Sequence, residues 1–230
     1  MSTMNKFPRI CAVCGALHEY TILTSTNTFG SPDLDLRPPQ MKRSTMPLWV
    51  QECPSCGYAA KEVSDPTQIP REYLQSEAYR NCGGIRFAEP LAGSFYRQYL
   101  ILLWDQKFTK AFFALLHAAW VCDDADDAEN AVRCRDIAAE LLEMNILPAE
   151  QEKEYLLLYA DVLRRAGHFG KLLDKFRDTW LDNEDLRKIL IFECVCADKK
   201  DAGCHTVEDA VRFYDEICEM TKGRLPTKEN

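Results

Sequence analysis

Two short cysteine turns, Cys11-Ala12-Val13-Cys14-Gly15 and Cys53-Pro54-Ser55-Cys56-Gly57-Tyr58, constrain this chain more than any other stretch. In C-x-x-C the backbone reverses between two sulfurs and aims both at one point. Two such turns supply the four thiolates of a tetrahedral ion with metal–sulfur bonds of about 2.3 Å. Gly15 and Gly57 suit the left-handed conformation that closes each turn and lets backbone N–H groups approach the sulfurs. Pro54 fixes one φ angle in the second turn. The sulfur set predicts a structural Zn2+ held by Cys11, Cys14, Cys53 and Cys56. The second turn is also similar to a rubredoxin knuckle, so Fe at the same sulfurs is the less favoured alternative and metal-free thiols the third. Four cysteines close the coordination sphere, which directs the ion to folding and not to hydrolysis.

The rest of the composition sets the context. At 230 residues and 47% hydrophobic content, the chain can bury a real core. Eleven cysteines leave an odd number beyond the four ligands, and Met1 to Arg9 contains no apolar signal core. The expectation is a cytoplasmic protein with reduced thiols. No apolar run approaches the ~20 residues of a membrane span, so no membrane partner is expected. A formal charge of −8 opposes nonspecific binding to phosphate backbones. Residues 1–60 depart from this acidity, with Lys6, Arg9, Arg37, Lys42 and Arg43 against Glu19, Asp33, Asp35 and Glu52.

Periodicity predicts a mainly α fold. A small β zinc-ribbon-like four-cysteine module is expected over 1–64, a connector with one short helix over 65–89, an irregular tetratricopeptide-like helical hairpin array over 90–221, and a flexible tail over 222–230. Tyr20 to Thr24 and Leu48 to Gln51 read as strands, and Arg71 to Tyr79 as the connector helix. Phe108, Ala111, Phe112, Leu115, Leu116 and Ala119 share one helical face, as do Ala131, Cys134, Ala138, Leu141 and Leu142. Thr206 with Asp209 predicts an N-cap for a last helix through Val207, Ala210, Val211, Tyr214, Ile217 and Cys218. Gln106-Lys107-Phe108 and Gly167-His168-Phe169 read as equivalent turns between helices.

Ser31-Pro32-Asp33-Leu34-Asp35-Leu36-Arg37 lies between the cysteine turns. If extended, it places Asp33, Asp35 and Arg37 on one side. With Lys42 and Arg43 these could form a polar recognition patch beside the metal, and the plainer expectation is a solvated loop with a local Asp–Arg pair. Cys194, Cys196, Cys204 and His205 have donor types suited to a second metal. However, C-x-C on a helix points its sulfurs about 200° apart, so buried free thiols are expected. Asp123, Asp124, Asp126, Asp127 and Glu129 read as acids at a helix start. His18, His117 and His168 are isolated, and no nucleophile elbow, phosphate loop or dinucleotide fingerprint occurs.

The order C-x-x-C-G, S-P-D-L-D-L-R-P-P and C-P-x-C-G-Y-A, then Ala118-Ala119-Trp120 and Arg164-Arg165-Ala166-Gly167-His168-Phe169, resembles a largely bacterial family catalogued as domain of unknown function 2225. The resemblance implies a zinc-ribbon-like start fused to tetratricopeptide-like helices, and implies no activity. The expected function is a non-enzymatic adaptor in which zinc holds the ribbon and the helices bind a protein or peptide partner. The alternatives are a nucleic-acid-associated regulator using the basic residues near the ribbon, and a rubredoxin-like iron electron carrier.

Overall fold

Antiparallel hairpins carry the cysteine turns, and helices make up most of the remainder. The computed structural model describes residues 2–144 and 152–220, so the expected tail over 222–230 lies outside the described residues. Strands β1 (Thr3–Ile10) and β2 (Leu17–Ser25) pair in register from Met4↔Leu23 to Ile10↔Leu17. The predicted strand from Tyr20 to Thr24 falls inside β2. Strand β1 carries no clear alternation, and Pro8 sits in it opposite Glu19, a residue that a two-stranded edge tolerates.

The predicted strand from Leu48 to Gln51 is corrected. Arg43–Leu48 is a 3-10 turn, held by Thr45, whose Oγ1 donates to the Lys42 carbonyl and accepts from the Trp49 indole. Only Gln51–Glu52 is β3, paired with β4 (Ala59–Ala60). The single connector helix expected over Arg71 to Tyr79 is likewise two pieces, a 3-10 turn Tyr73–Gln75 and a short helix α1 (Glu77–Arg80). Between them Ser76 adopts extended backbone and caps α1 by accepting from the Tyr79 amide.

Helices α2 (Pro90–Trp104), α3 (Phe108–Asp124) and α4 (Ala128–Glu143) follow, with α3 packed against both neighbours. Being covered on two sides, α3 buries more than the one predicted stripe: Ala114, Ala118, Trp120 and Cys122 are buried with Phe112, Leu115 and Leu116. Helices α5 (Glu152–Arg165), α6 (Phe169–Phe176), α7 (Glu184–Asp198) and α8 (Val207–Met220) complete the order, with α7 packed against the other three. The predicted capping of α8 is present: the Thr206 amide donates to Asp209 Oδ2 at 2.9 Å and the Asp209 amide to Thr206 Oγ1 at 3.1 Å. Among the described residues no helix is long and apolar enough to cross a membrane.

One turn recurs between helices. The Lys107, Asp127, His168 and Asp201 amides donate to the carbonyls of Leu102, Cys122, Leu163 and Cys196, five residues back, at 2.8–2.9 Å. The residue before each donor is left-handed: Gln106 (φ 56), Asp126 (φ 55), Gly167 (φ 80) and Lys200 (φ 54). This is the six-to-one closure that favours glycine, and only one of the four positions has it. Gln106→Gly is therefore expected to stabilise the protein by about 1 kcal/mol. Chemical denaturation of the two forms checks it.

The chain divides into two compact units whose limits differ from the expected 1–64, 65–89 and 90–221. The first comprises Met1–Gly30 and Pro38–Ala149, the second Ser31–Arg37 and Glu150–Asn230. Ser31–Arg37 thus belongs to the helical unit of α5 to α8. Leu34 is buried in a cluster with Phe192, Cys196 and Ala210. Its amide donates to the His205 carbonyl at 2.9 Å, and the Val207 amide donates to the Pro32 carbonyl at 2.9 Å.

Candidate metal centre

Each cysteine turn is the tip of a hairpin, and the two tips are built alike. In the first, between β1 and β2, the Cys11 amide donates to the Ala16 carbonyl and the Gly15 amide to the Cys11 carbonyl, both at 2.9 Å. In the second, between β3 and β4, the Cys53 amide donates to the Tyr58 carbonyl at 2.9 Å and the Gly57 amide to the Cys53 carbonyl at 2.8 Å. Gly15 and Gly57 have φ of 73° and 80°. At Gly57 an added Cβ would meet only a ring carbon of Tyr79 at 3.9 Å, so space is not the obstacle. The backbone conformation is, and Gly57→Ala should cost about 1–2 kcal/mol and weaken metal retention in a chelator competition.

The tips converge. Cys11 Sγ lies 3.7 Å from Cys56 Sγ, and Cys14 Sγ lies 3.7 Å from Cys53 Sγ. All four sulfurs fall within 4.8 Å of one another. A tetrahedron with bonds of ~2.3 Å has edges of about 3.8 Å, so the spacing fits a tetrathiolate ion such as zinc. The sulfurs are free thiols and not disulfides.

The electrostatics fit a cation too. Burial pushes the Cys11 and Cys56 thiols up, and their neighbours' sulfurs add to the shift. Burial also opposes the charged form of Cys14, yet its thiol lies below the ordinary value because the Ala16 amide and the neighbouring sulfurs favour that form. Four negative sulfurs at this spacing need a positive ion between them. Burial and the sulfurs' charge likewise raise the nearby Tyr20 phenol to about 12.

Surrounding groups brace the tips. The Ala12 amide donates to the Val63 carbonyl at 2.8 Å. Tyr79, fully buried on α1, donates its hydroxyl to the Gly57 carbonyl at 2.7 Å and accepts from the Ala59 amide at 3.2 Å. Nothing in the sequence pattern singled out Tyr79. His18 is no member of the sulfur cluster, and its Nε2 lies 2.9 Å from Ser55 Oγ.

No family model, curated protein or solved structure matches this chain.

The other predicted residues are arranged differently. Asp33, Asp35 and Arg37 are neither a solvated loop nor an exposed patch, since all three are buried. The segment is a tight turn and not an extended strand, with Leu36 left-handed (φ 66) and its amide donating to the Asp33 carbonyl at 2.9 Å. Alternation fails there, and Leu34 is buried along with the acids. Asp35 pairs with Arg165 of α5 at 3.2 Å. Lys42 is exposed, and Arg43 donates Nε to the Pro38 carbonyl at 2.8 Å. Arg9 pairs with Glu62 at 3.2 Å.

The second donor set weighed in the sequence is regrouped: Cys196 and His205 come together with Asp201, which the sequence did not single out, while Cys204 stays outside. Cys196, Asp201 and His205 offer ligand atoms within 4.8 Å of one another, and Cys194 takes no part. This group is satisfied internally. His205 Nε2 lies 2.9 Å from Asp201 Oδ2, and the Gly203 amide donates to Asp201 Oδ1 at 2.7 Å. Burial pushes the Cys196 thiol up to about 11. Of the acids expected at a helix start, Asp123 and Asp124 instead end α3, where Asp123 binds Arg135, and Asp127, just before α4, accepts from the Ala88 amide at 3.0 Å.

Proposed function

We propose that the four sulfurs hold a structural zinc ion in a zinc-ribbon-like module, and that the chain is a non-enzymatic adaptor for a protein or peptide. Supporting the zinc reading is the convergence of four sulfurs within 4.8 Å of one another, a donor set that would fill a tetrahedral sphere and leave no position for water or substrate. The helical turns, with Phe108 and Phe169 after the shared closure, are compatible with the tetratricopeptide-like array and with the resemblance to domain of unknown function 2225.

The adaptor reading rests on the hairpin surface. In the observed register Met4, Pro8 and Ile10 of β1 share a face with Leu17 and Leu23 of β2, with Lys6, Glu19 and Thr21 between the two apolar ends. Met4, Ile10 and Leu17 are 48%, 61% and 63% exposed. A two-stranded hairpin is marginal alone, and exposed apolar pairs at its two ends with unpaired strand edges suit an extended peptide added as a further strand. Screening a random peptide library against the zinc-loaded protein should enrich apolar sequences that Ile10→Asp abolishes. No enrichment, or binding indifferent to Ile10→Asp, would count against the adaptor reading and leave the zinc reading standing.

A further inference from the structure

Away from the sulfurs, the first unit contains a cavity of about 510 Å3, a size typical of small-ligand sites. Its lining residues include three arginines, Arg97 and the exposed Arg80 and Arg86, together with Asn81 and no carboxylate, and the Arg80 guanidinium also donates to Gln75 Oε1. In a chain of formal charge −8, a concave surface with that balance runs against the overall composition. A smaller cavity of about 310 Å3 beside the second cysteine turn shares Arg80 and Arg97.

The local fold explains how the arginines come together. Cys82, Gly83 and Gly84 are left-handed in succession, with φ of 50°, 67° and 90°, and bend the chain sharply between Arg80 and Arg86. Arg97 reaches in from α2. Its Nη2 donates to Glu52 at 2.7 Å and its Nη1 to Cys82 Sγ at 3.6 Å, while Nε is buried with no hydrogen-bond partner. Arg86 makes no side-chain hydrogen bond or ion pair among the described residues. Gly93 also lines the cavity, and a Cβ there would meet Arg97 Nη1 at 3.4 Å and the Phe87 ring at 3.7 Å. Gly93 therefore adds no side chain to the wall at this point.

These features specify a ligand. Glu52 offsets one of the three arginines and leaves about two positive charges, the complement of a phosphomonoester dianion and more than a single carboxylate needs. Planar guanidinium forks match phosphate oxygens. Ile85, Phe87 and Pro90 complete the wall with apolar surface, and the cavity is several times larger than a bare phosphate. We propose that this cavity binds a small organic phosphomonoester, its phosphate held by Arg80, Arg86 and Arg97 and its organic part lying against Ile85, Phe87 and Pro90. The site goes beyond the adaptor reading and does not depend on it.

Isothermal titration of the full metal-loaded chain tests this with phenyl phosphate, inorganic phosphate, phenol and a phosphoserine peptide as probes. Phenyl phosphate should bind saturably, inorganic phosphate more weakly and phenol not at all. Arg86→Gln should weaken phenyl phosphate about tenfold or more, as loss of a charged hydrogen-bonding group does. Lys42→Gln should leave it unchanged. Because the Arg86 side chain has no partner among the described residues, circular dichroism and metal content of the variant should match the parent. The proposal is overturned by absence of saturable phenyl phosphate binding at millimolar ligand, or by binding undiminished in Arg86→Gln. Inorganic phosphate binding as tightly as phenyl phosphate would overturn the organic occupant, and tighter binding of the phosphopeptide would move the site to a protein ligand.

Discussion

Stripping the metal with a strong chelator is expected to unfold both cysteine hairpins, and Cys53→Ser is expected to do the same without chelator. The argument is one of size. Strands β3 and β4 pair only Gln51↔Ala60 and Glu52↔Ala59, and two-stranded hairpins do not persist on their own. Structural zinc binding is worth roughly 10–16 kcal/mol in small zinc modules, far more than such pairing supplies. Without the ion, the inner thiols also remain crowded and poorly solvated. Helices α2 to α4 bury their own core around Phe112, Leu115 and Trp120, so the loss should be local. Amide exchange checks it: protection should vanish over Thr3–Ser25 and Gln51–Ala60 while α3 stays protected. Hairpins that remain protected after complete metal removal would contradict the account.

Replacing Arg164 should destabilise the second unit by about 3–5 kcal/mol, the cost of leaving buried acids without their cation. Arg164 is fully buried on α5. It donates to Glu193 Oε2 of α7 at 2.5 Å, to Asp161 Oδ1 at 2.8 Å, and to the Asp201 and Gly203 carbonyls at 3.1 and 2.7 Å. Two carboxylates thus share one guanidinium. Their remaining oxygens, Glu193 Oε1 and Asp161 Oδ2, are buried with no donor, and one proton held between them satisfies both. Burial, with the Asp161 charge added, pushes the Glu193 carboxyl up from 4.5 to about 8.

The sign of the pH effect follows. Because the folded value is raised, protonated Glu193 favours the fold fully below 4.5, and that contribution is lost as pH rises through about 8. Glu193→Gln mimics the protonated acid, so it should stay within about 1 kcal/mol of the parent at neutral pH and flatten the alkaline loss. Arg164→Met should be far less stable at both ends. Denaturant midpoints of both variants across this range check it, and equal midpoints for parent and Arg164→Met would contradict the shared-cation reading.

The four-sulfur cluster was legible because its chemistry is local: sulfur spacing and the following glycine specify each tip, and an ion would need both tips together. Helices were legible for a similar reason, since apolar period survives wherever one face is covered. What could not be read depends on partners distant in sequence. Asp33, Asp35 and Arg37 look like loop residues until α7 and α8 are placed around Leu34 and Arg165 of α5 supplies the charge for Asp35. Tyr79 becomes important only when its hydroxyl reaches Gly57. Strand β1, with Lys6, Pro8 and Arg9, has no pattern of its own and is ordered by pairing with β2. Likewise, the Gln106 and Gly167 turns shared a visible motif, whereas the Asp126 and Lys200 turns use the same closure with none.

The most direct measurement is zinc K-edge X-ray absorption on untagged protein, with metal stoichiometry determined on the same sample. The account predicts one zinc per chain with four sulfur neighbours at about 2.3 Å and no nitrogen or oxygen in the coordination sphere. A folded protein that carries no metal, carries iron in its place, or shows a lighter donor bound to the zinc would contradict it.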